Sequence, residues 1–130
     1  MIGRDDIIEL VHDLFRSLDT VGHAAQASMA FADEGVWHRQ GAVLTGPSQV
    51  EKVLADRDPD RRSCHIVTNM QIDGDEEKGW TARYYLSAYL AVSDEPFKLA
   101  GLLDCIDEIA LCEGKPRIVR KTSRQIGAVQ

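Results

Sequence analysis

The sequence predicts an α+β domain, with helices first and a long sheet after them, and three observations carry that expectation. Apolar residues repeat with helical spacing in the first part of the chain. β-Branched and aromatic runs fill the second half. Short turns containing Gly, Pro and Asp separate those runs, so the strands pair in order as an antiparallel meander with the helices packed on one face. At 130 residues, 44% hydrophobic and 28% charged, the chain has the size and balance of one folded domain, residues 1–130.

The first helix is expected from Asp5 to about Leu18. Ile7, Val11, Leu14 and Leu18 trace one face, Ile8, Val11 and Phe15 extend it, and Asp5 and Asp6 sit where the helix dipole favours negative charge. After Asp19-Thr20-Val21-Gly22, an alanine-rich stretch, His23–Ala32, reads as a second helix that stops near Gly35. Val36–Arg39 and Gly41–Thr45 form a hairpin around Gln40-Gly41. Gly46-Pro47 opens a third helix, with Val50, Val53 and Leu54 as its buried stripe, which ends by Asp58-Pro59-Asp60.

Four strands follow: Cys64–Asp73, Trp80–Val92, Phe97–Leu111 and Arg117–Ile126. Their turns are Asp73-Gly74-Asp75, Asp94-Glu95-Pro96 and Glu113-Gly114-Lys115-Pro116. Strict alternation puts Cys64, Ile66, Thr68, Met70 and Ile72 on one face of the first and His65, Val67, Asn69 and Gln71 on the other. In the second, Trp80, Ala82, Tyr84, Leu86, Ala88 and Leu90 oppose Thr81, Arg83, Tyr85, Ser87 and Tyr89. One face of the sheet takes the helices. Covering the other with a second subunit favours a homodimer.

The net charge is −6, which argues against nucleic acid as a partner, although Lys115, Arg117, Arg120, Lys121 and Arg124 make the last strand basic; a solvated strand face explains them. The three cysteines fit no Cys-x-x-Cys spacing, and four histidines show no ligand spacing. Reduced thiols, a cytoplasmic location and no metal are therefore expected. No apolar run spans a membrane, and neither a Gly-rich phosphate loop nor Gly-x-Ser-x-Gly is present, so no cofactor is expected.

The ordered set of an amphipathic helix ending at Asp19, then Val36-Trp37, Leu44-Thr45-Gly46-Pro47, Arg62-Ser63-Cys64-His65-Ile66-Val67-Thr68-Asn69, Asp73-Gly74-Asp75 and Arg117-Ile118-Val119 resembles the SnoaL-like domains of the nuclear transport factor 2-like superfamily. The resemblance spans nearly the whole chain. It implies a cystatin-like cone, a curved antiparallel sheet wrapped by three N-terminal helices around an apolar cavity, often as a dimer. Members include scytalone dehydratase, hexachlorocyclohexane dehydrochlorinase, ketosteroid isomerase and polyketide cyclases, so the fold alone assigns no activity.

In the dehydratase and dehydrochlorinase branch, an Asp ending the first helix orients a His that removes a proton from carbon. Asp19 and His65 match those positions. A neutral imidazole is a base suited to neutral pH, and a carboxylate on its other nitrogen fixes the tautomer. Trp37 matches a pocket aromatic of that branch. Phe15, Tyr85, Tyr89 and Asp104 complete the candidate lining, Asp104 either as a buried acid or as the partner of an arginine on the last strand. Two departures stand out: Leu18 replaces a tyrosine before the Asp of scytalone dehydratases, and Leu14 replaces a cation of the dehydrochlorinase. Tyr85, Tyr89 and Arg39 are candidate substitutes for those groups. Taken without the resemblance, Asp19 reads as a helix cap and His65 as a structural histidine.

These residues support two readings. One is a cofactor-free lyase or isomerase acting on a small apolar cyclic or aromatic substrate. The other is a non-catalytic small-ligand binding or assembly module of the same fold.

Overall fold

The structure, a computed structural model, describes residues 1–39 and 41–127. Three helices, α1 (Arg4–Leu18), α2 (Ala24–Ser28) and α3 (Gly46–Ala55), accompany six strands: β1 (Phe31–Arg39), β2 (Ala42–Thr45), β3 (Arg61–Asp75), β4 (Gly79–Val92), β5 (Lys98–Cys112) and β6 (Lys115–Gln125). The strands form one curved, unclosed sheet in the order β2-β1-β6-β5-β4-β3. Among the described residues no helix is long and apolar enough to cross a membrane.

The expected meander holds from β3 to β6, where every pair is antiparallel. The sheet as a whole is mixed, because β1 lies parallel to β6. That pairing corrects the second helix. The alanine-rich segment becomes helical only over Ala24–Ser28, and the chain is in β1 by Phe31. Tertiary contacts override propensity here. Phe31 is buried and stacks on Trp37 at 5.4 Å, and Ile118 N–H donates to the Ala30 carbonyl at 2.8 Å. Gly35 is a strand residue, not a helix stop. A Cβ there would lie 2.6 Å from the Ile118 carbonyl oxygen, so glycine is what lets β1 approach β6.

The core lies between the helices and one face of the sheet. α1 contributes Ile7, Val11, Leu14, Phe15 and Leu18, and the sheet contributes Trp80, Ala82, Tyr84, Leu86, Cys105, Ile109 and Ile118. α3 buries Val50 and Leu54 as expected, whereas Val53 is exposed. The β1–β2 hairpin pairs Arg39 with Ala42, and its Gln40 lies outside the described residues.

Two bulges correct the strict alternation of the strands. In β3, Thr68 pairs with Tyr85 but Gln71 pairs with Arg83, so Asn69 and Met70 together oppose Tyr84. Asn69 takes φ 57°, a left-handed conformation that asparagine tolerates. The bulge shifts the phase by one residue. Ser63, His65 and Val67 face inward before it, and Met70 and Ile72 face inward after it, while Cys64, Ile66 and Thr68 are exposed. In β6 a register shift between Arg120 and Ile118 leaves Val119 as the extra residue, so Ile118 and Lys121 both point inward although three positions apart.

Candidate functional site

Asp19 ends α1 and does not cap α2, whose N-cap is His23. Its backbone N–H donates to the Phe15 carbonyl at 3.0 Å, which aims its side chain across at β3. There Ser63 and His65, two residues apart on the inward face, both reach it. Ser63 Oγ donates to Asp19 Oδ1 at 2.7 Å, the His65 backbone N–H donates to Oδ2 at 2.8 Å, and His65 Nδ1 lies 2.6 Å from Oδ1.

This convergence sets the charge of Asp19 and the tautomer of His65. Burial acts to raise the Asp19 carboxyl, but the bonds from the His65 ring, the His65 backbone and Ser63 outweigh it and hold the group below its ordinary value of 3.8. A carboxylate can only accept. Nδ1 therefore carries a proton, and in the neutral ring Nε2 is the nitrogen with the free lone pair. The ring packs on Phe15 with centroids 5.2 Å apart, and the two side chains of the pair are only 16% and 21% exposed.

His65 opens on a cavity of about 650 Å³, a size that suits a small organic ligand. Phe15, Trp37, Leu86, Leu90 and Leu103 give it apolar walls. Asp19, His65, Phe15 and Trp37 are thus brought together. A more open groove of about 540 Å³ runs beside α1 and β6, lined by Asp6, Glu9, Asp13 and Lys115 among others; it contains no histidine and lies apart from the pair.

Tyr85, Tyr89 and Asp104 are not part of this site. All three fall on the outer face of the sheet, where Tyr89 pairs with Cys64 and Tyr85 with Asp104. Arg83 donates to both Asp104 oxygens, at 3.2 and 2.7 Å, and Arg124 donates at 3.2 Å. Asp104 has little exposed surface because these two guanidinium groups cover it, not because it enters the core. Hydrogen bonding to Arg83 is the main reason its carboxyl is held below the ordinary value, the reverse of a raised-pKa acid.

The sequence reading missed the floor of the cavity. Lys121, from β6, is 3% exposed and lines it. Its Nζ donates to both oxygens of Asp107 at 2.9 and 3.0 Å and contacts the Tyr84 hydroxyl, which itself donates to Asp107 Oδ2 at 2.7 Å. Burial, then the neighbouring Asp107 charge, pushes Tyr84 well above the ordinary phenol value and keeps it protonated. The Lys121 ammonium sits 4.9 Å from the Phe15 centroid, against the same ring as His65. Cys105, also on the floor, is pushed up to about 12 by burial, so it is a protonated wall residue and no nucleophile. Among the described residues no His, Cys, Asp and Glu side chains group as a metal site.

A helix-covered, curved mixed sheet with an Asp–His pair opening on an apolar cavity defines a cystatin-like, nuclear transport factor 2-like domain. A family model for SnoaL-like domains matches residues 2–122, and the chain belongs to that family, which includes polyketide cyclases and dehydratases. Similar solved structures include an NTF2-like protein with a cystatin-like fold from Novosphingobium aromaticivorans (TM-score 0.84, 17% identity, covering 97% of this chain and 83% of that one). ActVI-ORFA from Streptomyces coelicolor matches with TM-score 0.81 at 12% identity, over 94% of this chain and 96% of that one. Aln2 from another Streptomyces strain matches with TM-score 0.79 at 14% identity, over 93% and 88%. At these identities the likeness is one of fold. No curated protein sequence matches.

Proposed function

We propose that the chain is a cofactor-free lyase or isomerase of dehydratase type, with His65 as general base and Asp19 as the residue that orients it. The observation that carries this reading is the 2.6 Å contact between Asp19 Oδ1 and His65 Nδ1, which leaves the opposite ring nitrogen as a base beside an apolar cavity. Nε2 takes a proton from a carbon activated by a carbonyl or a β leaving group. Asp19 stabilises the imidazolium that forms.

The test is solvent-deuterium incorporation at activated carbons of small cyclic and aromatic ketones and β-hydroxy ketones, followed by proton NMR. The wild type is expected to exchange, and His65→Gln is expected to lose at least about 10²-fold of the rate while keeping its fold. Exchange at full rate in the variant would rule out His65 as the base.

Assembly is the second reading, and the outer face of the sheet favours it. Ile66, Tyr85, Leu102 and Ile106 are 37–47% exposed there, a group of large apolar side chains on one surface. A homodimer joined across this face would cover them. Light scattering is expected to give a dimer for the wild type and a monomer for Ile106→Glu. A wild-type monomer at micromolar concentration would dispose of the dimer.

A further inference from the structure

Three arginines at the cavity have no part in the acid–base chemistry. Arg39 comes from the end of β1, Arg57 follows α3, and Arg61 is the first residue of β3. Elements distant in sequence bring them to one rim, with Arg39 and Arg61 exposed and Arg57 half-buried. Among the described residues the cavity lining contains these three and Lys121, and neither Asp nor Glu, in a chain of net charge −6. Among the described residues, Lys121 is ion-paired with Asp107, and none of the three arginines is within ion-pair distance of a carboxylate.

Two of the three are held in position. Arg57 Nε donates to the Leu54 carbonyl at 3.2 Å and its Nη2 to the Leu18 carbonyl at 3.0 Å, so it bridges the ends of α3 and α1 next to Asp19. The Arg39 guanidinium lies 4.9 Å from the Trp37 ring centroid, on the cavity wall. The three feel one another: although Arg39 reaches solvent, the buried part of its side chain first, then the charges of Arg57 and Arg61, hold it below the ordinary guanidinium value. Asp19 is the nearby carboxylate, and its oxygens are already taken by Ser63 and His65.

Three like charges gathered with only the one nearby carboxylate of Asp19 oppose folding, and low-dielectric walls focus their field on whatever enters. Guanidinium forks match oxyanions in geometry as well as in charge. We infer that the cavity takes an amphipathic oxyanion, with its flat apolar body between Phe15, Trp37 and Leu86 and its carboxylate or phosphate at Arg39, Arg57 and Arg61. This names the ligand class of the proposed site and rests on the cavity being that site, but not on His65 acting as a base.

The test compares 2-naphthoate, 2-naphthyl phosphate and the uncharged 2-naphthamide by NMR titration of the wild type and variants, read at the Trp37 indole N–H signal, which all of them retain. At least one anion is expected to bind about tenfold or more tightly than the amide, as one good charge-assisted contact provides, and the tighter of the two assigns the head group. The preference is expected to fall toward one in Arg39→Gln/Arg61→Gln, a change at two exposed positions, and to persist in His65→Gln. Equal affinity for anions and amide, no binding of any of the three, or an unchanged preference in the double variant would overturn the inference. A wild type that prefers the anion but catalyses no deuterium exchange sinks the catalytic reading and leaves this one standing.

Discussion

Asp107→Ala is expected to be the most damaging single substitution in the chain, costing about 3–5 kcal/mol and lowering the melting temperature by roughly 10–20 °C. Lys121 and Asp107 are 3% and 0% exposed, and they face each other directly across β5 and β6. Removing the carboxylate leaves an ammonium in the core with only the Tyr84 hydroxyl as partner. Such a loss is a large share of the 5–15 kcal/mol that ordinarily holds a domain together. Tyr84→Phe removes one member of the network and leaves the ion pair, so its expected cost is smaller, about 1–3 kcal/mol. Asp107→Leu/Lys121→Met removes both charges together and is expected to recover most of the stability lost by either single change. Thermal unfolding of the wild type and these three variants tests the account. A double variant as unstable as Asp107→Ala would mean that shape, not charge compensation, governs this site. If the pair were there for stability alone, hydrophobic residues would serve as well. Its position on the cavity floor fits a polar network that fixes β5 and β6 under the ligand site.

The first and third helices and the late strands were legible because their signals are local. Ile7, Val11, Leu14 and Leu18 repeat with the helical period, and Gly46-Pro47 marks the start of α3. Asp19 and His65 were legible as a pair only through the ordered resemblance, since nothing local separates an aspartate that reaches a distant histidine from a helix cap. What stayed hidden depended on long-range register. The bulge at Asn69 and the extra residue Val119 each invert the face of everything beyond them, and no alternation rule anticipates that. Hence Cys64 and Ile66 were grouped with Met70 and Ile72, and Lys121 read as one more charge on a solvated strand. Asp104 and Asp107 illustrate the same limit. Both interrupt an apolar strand, but their odd separation puts them on opposite faces, and only the fold shows which face is the core. Tyr85 and Tyr89 were assigned to the wrong side for the same reason.

Asp19→Asn is expected to cost about 10³–10⁴-fold in any proton-transfer rate, the scale seen when an amide replaces the carboxylate behind a catalytic histidine. Three donors converge on Asp19: Ser63 Oγ, the His65 backbone N–H and His65 Nδ1. An amide brings donors of its own to a place already crowded with them. Its NH₂ is accommodated if the His65 ring moves its proton from Nδ1 to Nε2, which turns the intended base into a donor. Ring ¹⁵N shifts at neutral pH are expected to show this tautomer change even before a substrate is known. The same carboxylate carries a pH signature. Because folding holds Asp19 below 3.8, its stabilising contribution is fully present above that value and is lost as pH falls through the lower folded value. Denaturation of wild type and variant is therefore expected to differ at neutral pH, by about 1–3 kcal/mol, and to converge in strong acid. A variant with the wild-type tautomer and undiminished exchange would remove Asp19 from the mechanism. Altered tautomer with unaltered ligand binding, and no exchange in either protein, would instead mark the pair as part of a binding module, in which the arginine rim rather than His65 selects what enters.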